Sequence, residues 1–193
     1  MAARQGMANL IQVVRGYTSV GTADTTAGGT TWWTDDQLQE VLDKYRYTYK
    51  EIELIPMSDY VLGVTTYTEY RIPEYLRWLE EDGTASGWAI RTSTGGTAPT
   101  YTTNYEARMV EFAADTAGTA YFLSCRTYNV YRAAADVWDQ KAAFVAAKID
   151  WESDNHKIKG AQEYQHYQMM AKQYRAMAGA TQARFFRVDE TPL

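Results

Sequence analysis

The stretch "YNVYRAAADVWDQKAAFVAAK", Tyr128 to Lys148, has the clearest periodicity in the chain. Its larger apolar side chains and several alanines recur at a spacing of about 3.6 residues, as on one face of an α-helix. The residues on this face are Val130, Ala134, Val137, Trp138, Lys141, Ala142, Val145 and, just beyond the stretch, Ile149. Its many alanines also favour the helical backbone. The stretch therefore predicts a long helix with one packing face.

A second long helix is predicted over roughly Ile158 to Ala178, with Gly179 at its C-terminal cap. One stripe of this helix carries tyrosine and alanine, at Ala161, Tyr164, Tyr167, Ala171, Tyr174 and Ala178. The polar segment "DWESDNHK" joins it to the first helix. Because the connection is short, we expect the two helices to be antiparallel neighbours.

Two shorter helices are expected before residue 50. The first is amphipathic and covers Ala8 to Arg15, and a Gly/Thr-rich loop follows it. The second begins at Thr34, which forms a capping box with Gln37.

From Glu51 to Thr127 the period changes to that of strands, with Gly and Pro between the segments. The strand candidates are "IELIP", "YVLGVTTYTEYRIP", "GWAIRT", "ARMVEF" and "YFLSCRTY", with "STGGTAPT" and "AADTAG" as turns. A short helical piece is expected at Glu74 to Glu81. This region predicts a small antiparallel sheet or set of hairpins inserted between helices.

The predicted fold class is therefore mainly α: a bundle of three to four helices with an inserted antiparallel β-sheet or hairpin region and an extended C-terminal arm. We expect one domain over residues 1–179, with a helical core at 8–49 and 128–179 and a β-rich insertion at 50–127. Residues 180–193 are the predicted arm. A chain of 193 residues is long enough to bury a core of its own.

Composition narrows the classes of function. A net charge of -5 without a basic cluster argues against a protein that grips DNA phosphates, although DNA could still pass nearby. The single Cys125 favours a reducing compartment and is expected to be an inert strand residue. The apolar segment Leu10 to Val14 is too short for a signal sequence, and no apolar run reaches the ~20 residues of a membrane span. We therefore expect a soluble protein.

No residues with the pattern of an active site stand out. His156 and His166 are too few and too far apart for the usual zinc spacing. "DTAG", Asp115 to Gly118, is typical of a turn between strands. We predict no catalytic residue, no metal and no cofactor, and hence not an enzyme.

Two features indicate contacts with other proteins. Three adjacent alanines cover more than one helix face, so they serve either core packing alone or also packing on a neighbouring subunit. The residues of this helix assigned to such packing are Ala133, Ala134, Ala135, Trp138 and Ala142. The arm carries two aromatic anchors between arginines and either folds back or docks on a partner. Its binding residues are Arg184, Phe185, Phe186, Arg187 and Val188.

Four segments, "WTDDQLQEVLDKYR", "YEARMVEF", "RTYNVYRAAADVWDQKAAFVAAKID" and "SDNHKIKGAQEYQHYQMMAKQYRAMAG", resemble the head-to-tail connector, or adaptor, family of tailed bacteriophages. The resemblance covers about Trp32 to Gly179 and lies in the order of elements. These are an acidic-capped helix, a hairpin-bearing insertion, an Ala-rich helix ending near Asp150 and Trp151, and a last helix ending in a Tyr-Arg segment. The insertion, Lys50 to Tyr121, is longer than compact members of the family need.

The resemblance implies a structural protein of the virion neck, made in the host cytoplasm. Such proteins form a ring, typically of twelve copies, beneath the portal of the filled head and extend the channel for genomic DNA. The implied partners are the portal protein, neighbouring copies and a downstream neck, stopper or tail protein, without a membrane. Carried over to this chain, the portal-binding arm is Gln182 to Glu190.

A small glycan- or peptide-binding module is the alternative function. The region between Tyr60 and Tyr105 is dense in Tyr and Trp, and aromatic side chains suit sugars and peptides.

Overall fold

The computed structural model describes residues 3–20, 24–25, 31–61, 63–83, 86–149 and 157–181. The chain divides into two compact units, Met1–Asn129 and Val130–Leu193. In its described residues the first unit contains a short 3-10 helix (Gln5–Met7), helices α1 (Ala8–Thr18) and α2 (Asp35–Asp43), and strands β1 (Asp24–Thr25), β2 (Thr31–Trp32), β3 (Arg46–Glu53), β4 (Ile55–Val61), β5 (Val64–Arg71), β6 (Ala89–Thr92), β7 (Tyr101–Asn104), β8 (Met109–Phe112) and β9 (Tyr121–Tyr128).

The strands of the first unit form two main antiparallel sheets. One has three strands in the order β3-β9-β6, and the other has four in the order β4-β5-β8-β7. Strands β1 and β2 form a separate short pair. Only Leu54 separates β3 from β4, so the chain passes from an edge of one sheet to an edge of the other at this residue.

The two main sheets share one apolar core. Along β9 the side chains of Tyr121, Leu123 and Cys125 are buried, and the alternate positions are half-buried, as expected where one sheet face meets a core. The cluster comprises Leu54, Tyr70, Ile72, Leu76, Leu79, Trp88, Ile90, Val110, Phe112, Tyr121, Leu123 and Cys125. Aromatic rings meet at its centre, where Phe112 stacks on Tyr121 at 4.5 Å and Tyr70 meets Phe112 edge-on at 5.1 Å.

Helices α1 and α2 contact each other in the first unit. The predicted capping box is confirmed: the Thr34 hydroxyl accepts the Gln37 N–H, and the Gln37 side chain accepts the Thr34 N–H at 3.0 Å. The buried Arg15 of α1 donates to the Asp35 carboxylate at 2.7 Å and to the Trp33 carbonyl at 2.9 Å. These bonds tie α1 to the beginning of α2.

The second unit contains helices α3 (Val130–Ile149) and α4 (Lys157–Thr181). They run antiparallel, because Tyr131 stacks on Tyr174 while Trp138 lies against Tyr167. The predicted pair of long helices is therefore confirmed. The predicted cap at Gly179 is wrong, since α4 continues to Thr181. Residues 150–156, most of the predicted connection, lie outside the described residues.

The predicted fold class is wrong. Helices account for 40% and strands for 30% of the structure, which makes this an α+β protein rather than a mainly helical one. The region expected to be an insertion has its own core, shared by two sheets. Residues 46–49, expected in the helical core, are the beginning of β3. Helices α1 and α2 group with the strands, not with α3 and α4.

The short helix expected at Glu74 to Glu81 is also wrong. The end of this segment runs beside β9 instead: Glu80 N–H donates to the Arg126 carbonyl at 3.0 Å, and Tyr128 N–H donates to the Trp78 carbonyl at 3.1 Å. Since these backbone groups bond across to β9, they cannot also close helical turns. Tertiary pairing has overridden local helical preference here.

Candidate functional site

A cavity lies on the outer face of the three-stranded sheet. Side chains alternate along β9, so Phe122 and Ser124 point away from the core and lie opposite Arg91 and Ala89 of β6. The cavity has a volume of about 440 Å³. It is lined by Lys50, Glu51, Ala89, Arg91, Thr92, Ser93, Gly95, Phe122 and Ser124.

A β-bulge brings Lys50 and Glu51 to this cavity. The register between β3 and β9 shifts between Tyr49 and Ile52, which inserts an extra residue into β3. Glu51 has φ of 56°, in the left-handed region that side-chain-bearing residues rarely adopt. Bulges bend a strand and redirect its side chains, and such backbone costs about 1–3 kcal/mol unless the fold enforces it. Glu51, the residue with this strained backbone, is therefore also part of the cavity lining.

The charges of the cavity are available for a ligand. Lys50, Glu51 and Arg91 are all exposed, and none of them has an ion-pair partner within the described residues. Two cations and one carboxylate therefore border the half-buried ring of Phe122. A group that combines negative charge with an apolar or aromatic part fits this chemistry.

The other half of the same sheet face is covered by an ion network. The Arg4 guanidinium binds both oxygens of Asp43 at 2.9 and 2.7 Å and donates to Glu80 at 2.9 Å. The Tyr128 hydroxyl donates to Glu80 at 2.7 Å, and Arg126 lies 3.6 Å from the same carboxylate. Glu80 is only 1% exposed. We name these five residues the Arg4–Glu80 network.

Two members of the Arg4–Glu80 network, Arg4 and Tyr128, have raised pKa values. Hydrogen bonding to Asp43 raises the pKa of Arg4 well above its ordinary value. Burial, followed by the hydrogen bond to Glu80, raises the pKa of Tyr128. A guanidinium and a phenol shifted in this direction do not exchange protons at physiological pH, so Arg4 and Tyr128 join structural elements rather than acting as an acid or base.

A β-hairpin extends from the four-stranded sheet. Strands β4 and β5 pair from Ile55↔Arg71 to Val61↔Val64, but β5 pairs with β8 only over Glu69–Arg71. Beyond the bulge at Tyr67 and Thr68, the distal part of the hairpin, Asp59–Val61 with Val64–Thr66, is therefore two-stranded. The exposed large apolar side chains of the whole hairpin, from base to tip, are Ile55 (49% exposed), Met57 (41%), Tyr60 (73%) and Val64 (59%). By the register, Ile55, Met57 and Val64 share one face of the hairpin and Tyr60 lies on the other face. Several exposed apolar side chains on one face are typical of an interaction surface.

The turn after β8 fixes the base of the hairpin. A bulge between Met57 and Asp59 frees the backbone of Tyr67, whose N–H donates to the Asp115 carboxylate at 2.8 Å. The Thr116 N–H and hydroxyl both donate to the Tyr67 carbonyl, at 3.1 and 2.7 Å. Hydrogen bonds from the Tyr67 and Ala117 N–H groups lower the pKa of Asp115. The predicted turn at Asp115 is confirmed and holds the bulge of β5.

The helix residues predicted for packing on a neighbouring subunit are all buried in the single chain. They are Ala133, Ala134, Ala135, Trp138 and Ala142. In the second unit, Trp138 lies against Tyr167 at 5.3 Å and its ring is covered by the Lys141 ammonium at 4.8 Å. Contact with another copy through these positions stays a hypothesis, and the proposals below use other surfaces.

The predicted portal-binding residues Arg184, Phe185, Phe186, Arg187 and Val188 lie outside the described residues, as does His156. The other histidine, His166, is exposed on α4 beside Trp138. The thiol of Cys125 is 1% exposed, and burial raises its pKa to about 12. At neutral pH it is therefore a buried, unreactive thiol.

The aromatic residues that suggested a glycan or peptide platform are divided between core and surface. Tyr70 and Trp88 belong to the core, and Tyr105 packs edge-on against Trp88 at 5.3 Å. Tyr60 and Tyr75 are exposed. The region thus supplies core rings, not one continuous aromatic surface.

Within the described ranges, no group of three or more His, Cys, Asp or Glu side chains is placed to hold a metal ion. No helix in those ranges is long and apolar enough to cross a membrane. No protein-family model, curated protein or solved structure matches this chain.

Sequence reasoning missed the cavity, because Lys50, Arg91 and Phe122 come from three strands far apart in the chain. One signal was present. Alternation in "YFLSCRTY" places Phe122 and Ser124 on the face opposite the apolar Leu123 and Cys125. That pattern predicts that Phe122 faces away from the core, on the side where the cavity lies.

Proposed function

We propose that this protein is a non-enzymatic adaptor of a tailed-phage neck, which forms a ring beneath the portal and extends the channel through which genomic DNA leaves. The ring links the filled head to the tail or to the next neck protein. The observation that carries the proposal is the β4–β5 hairpin with its exposed apolar side chains. The type of assembly, a ring at the portal, is inferred from the resemblance of the sequence to the adaptor family.

The hairpin supports an assembly role because it is firmly held at its base and free at its tip. Bonds from Asp115 and Thr116 fix the Tyr67 backbone, while Tyr60 near the tip is 73% exposed. An edge strand with exposed apolar side chains invites pairing with another chain. Strand β4 carries Pro56 and Asp59, which oppose uncontrolled strand addition and leave a more specific contact through side chains.

The second unit offers a further surface. On α4, Met169 and Met177 are exposed, while Tyr167 and Tyr174 contact aromatic rings of α3 and Ala171 is buried. Methionine adapts to partners of different shape and is common at binding surfaces. This helix is a suitable contact for a second neck component.

The charge balance suits passage of DNA without capture. The net charge is -5, and counterion release would make a strongly basic lumen hold phosphates. The arm, Gln182 to Glu190, is assigned to the portal on the resemblance, with Phe185 and Phe186 as anchors. A ring multiplies weak arm contacts by avidity.

The decisive experiment mixes the purified chain with the portal protein of the same phage and measures assembly by mass photometry and negative-stain microscopy. We expect rings of about twelve copies attached to the portal. A chain that stays monomeric and does not bind the portal would refute the adaptor function.

The arm is tested by the paired replacement Phe185→Ser with Phe186→Ser. We expect portal binding to be lost while the circular dichroism spectrum is unchanged. The matched control is Gln182→Ser, which alters a polar residue of the same arm and should bind normally. Normal portal binding by the double variant would remove the arm from the proposal.

The cavity on the three-stranded sheet favours the second candidate function, a small peptide- or glycan-binding module. Its volume and its Phe122 and Arg91 side chains are compatible with a small ligand. A glycan and peptide array probed with the full chain, with Arg91→Ala as control, distinguishes this function. Saturable, Arg91-dependent binding together with indifference to the portal would favour the module.

A further inference from the structure

Two surfaces of the first unit are complementary to each other in charge and chemistry. We propose that the hairpin tip of one copy, centred on Asp59 and Tyr60, binds the cavity formed by Lys50, Arg91 and Phe122 in a second copy. This inference rests on the adaptor function and names the contact through which its ring grows.

The hairpin has the composition of an acidic aromatic ligand. From Ile55 to Glu69 the chain contains two carboxylates, Asp59 and Glu69, and no lysine or arginine. Neither carboxylate has an ion-pair partner in the described part of the chain, and the adjacent Tyr60 is 73% exposed. Because consecutive strand residues alternate between faces, Asp59 and Tyr60 lie on the two sides of the hairpin tip. A rigid aromatic ring loses little conformational entropy on binding, which makes Tyr60 an effective anchor.

The cavity has the matching composition. Its exposed cations, Lys50 and Arg91, can bind a carboxylate, and Arg91 lies directly across from Phe122 in the sheet register. The half-buried Phe122 ring offers the apolar surface that a tyrosine would cover. A volume of about 440 Å³ admits one aromatic side chain, and the exposed cations at the border of the cavity can bind a carboxylate on the other side of the tip.

The two surfaces do not satisfy each other within one copy. Tyr60 is exposed in the single chain, and the cavity is open there. A contact between two different surfaces leaves each copy with one free hairpin and one free cavity. Such a heterologous contact adds copies head to tail, and it closes into a ring when the rotation between copies allows.

Charge reversal tests the contact on assembly with the portal. Asp59→Lys alone, and Lys50→Glu with Arg91→Glu, should each reduce the ring fraction about tenfold or more, because each places like charges together. All three replacements in one chain restore opposite charges and should recover assembly. Glu106→Lys, the same change of charge as Asp59→Lys at an exposed position outside both surfaces, is the control and should assemble like the wild type. Circular dichroism and thermal melting verify that every variant folds.

Disulfide trapping tests the contact without the portal. In a chain carrying both Ser58→Cys, beside Asp59, and Ser93→Cys, at the edge of the cavity, the charges of the contact stay in place. Mild oxidation of a concentrated sample of this variant should give a covalent ladder that extends beyond dimers. Either cysteine alone should stop at dimers. The native Cys125 does not compete, because it is 1% exposed.

The outcomes separate the two proposals. Rings that form equally well with Asp59→Lys and with the reversed cavity, without a covalent ladder, overturn this contact and leave the adaptor function standing. A wild-type chain that ignores the portal refutes the adaptor function, and the covalent ladder then decides the contact by itself. A ladder that ends at dimers excludes head-to-tail growth.

Discussion

The two halves of the outer face of the three-stranded sheet both carry charged and aromatic side chains, but one half is covered by other residues and the other half is open. At one end, Arg126 and Tyr128 of β9 are covered by Arg4, Asp43 and Glu80. At the other end, two strand positions away, Ser124 and Phe122 line an open cavity. A charge on this sheet face is therefore paired with an opposite charge only where the N-terminal segment, α2 and the residues before β6 reach it.

The covered half depends on Glu80, and its removal has the largest expected effect. Glu80→Ala leaves Arg4 and Arg126 without their shared carboxylate. Breaking a buried ion pair typically costs about 3–5 kcal/mol of unfolding free energy. Urea denaturation measures this loss. The matched control in the open half is Arg91→Ala, which should change stability by less than about 0.5 kcal/mol. Equal losses at the two sites would abolish the distinction between the halves.

Gly6 allows the N-terminal segment to approach closely enough to cover the sheet. A Cβ at this position would lie 2.2 Å from the Glu81 carbonyl oxygen, a backbone atom that cannot move aside easily. Gly6→Ala should therefore destabilise the protein by about 1–3 kcal/mol, as other overpacking substitutions do. Thermal melting measures this effect.

Gly16, inside α1, is the matched control for Gly6. Nothing lies within 4 Å of a Cβ added there, so Gly16→Ala should stabilise the helix by about 0.5–1 kcal/mol. Opposite signs at the two glycines support close approach at Gly6. A neutral Gly6→Ala would show that the segment can withdraw without loss.

Tyr128 gives the smallest expected effect and one that depends on pH. Tyr128→Phe removes the hydrogen bond that the hydroxyl donates to Glu80 and the one that it accepts from Arg4. This should lower the unfolding free energy by about 1–2 kcal/mol at neutral pH. The folded pKa of Tyr128 is raised above its ordinary value of 10.0. Its contribution is therefore fully present below pH 10 and is lost as the pH rises toward the folded pKa.

Urea denaturation of both proteins between pH 8 and pH 11 checks this sign. Stability of the wild type should fall above pH 10 more steeply than that of Tyr128→Phe. Parallel curves would mean that the Tyr128 hydroxyl is not held by the network.

Local signals predicted several elements correctly. The capping box of Thr34 and Gln37, the helical period of Val130 to Ile149 and the strand alternation of β9 all involve residues within a few positions of each other. Such patterns act through backbone hydrogen bonds and the burial of one face. They were sufficient to locate most helices and strands.

The fold class and the candidate site required contacts between distant residues. Strand β7, which pairs with β8, was not predicted. The segment ending at Glu81 was expected to be helical, but its backbone partners lie in β9. Alternation along a segment indicates a strand, but it does not indicate that two sheets will share a core. The strand region was therefore expected to be only an insertion, although it has a core of its own. The cavity joins Lys50, Arg91 and Phe122, which no local pattern connects.

Local sequence was enough to indicate most of the helices, strands and turns, because these depend largely on propensity, capping and periodicity over short distances. The tertiary structure alone decided which charges are satisfied and which remain available. Glu80 and Lys50 read alike in sequence, as charged residues of a polar segment. Only the folded chain brings Arg4 to the first and leaves the second beside an open cavity, because partners for a charge are set by contacts across the fold.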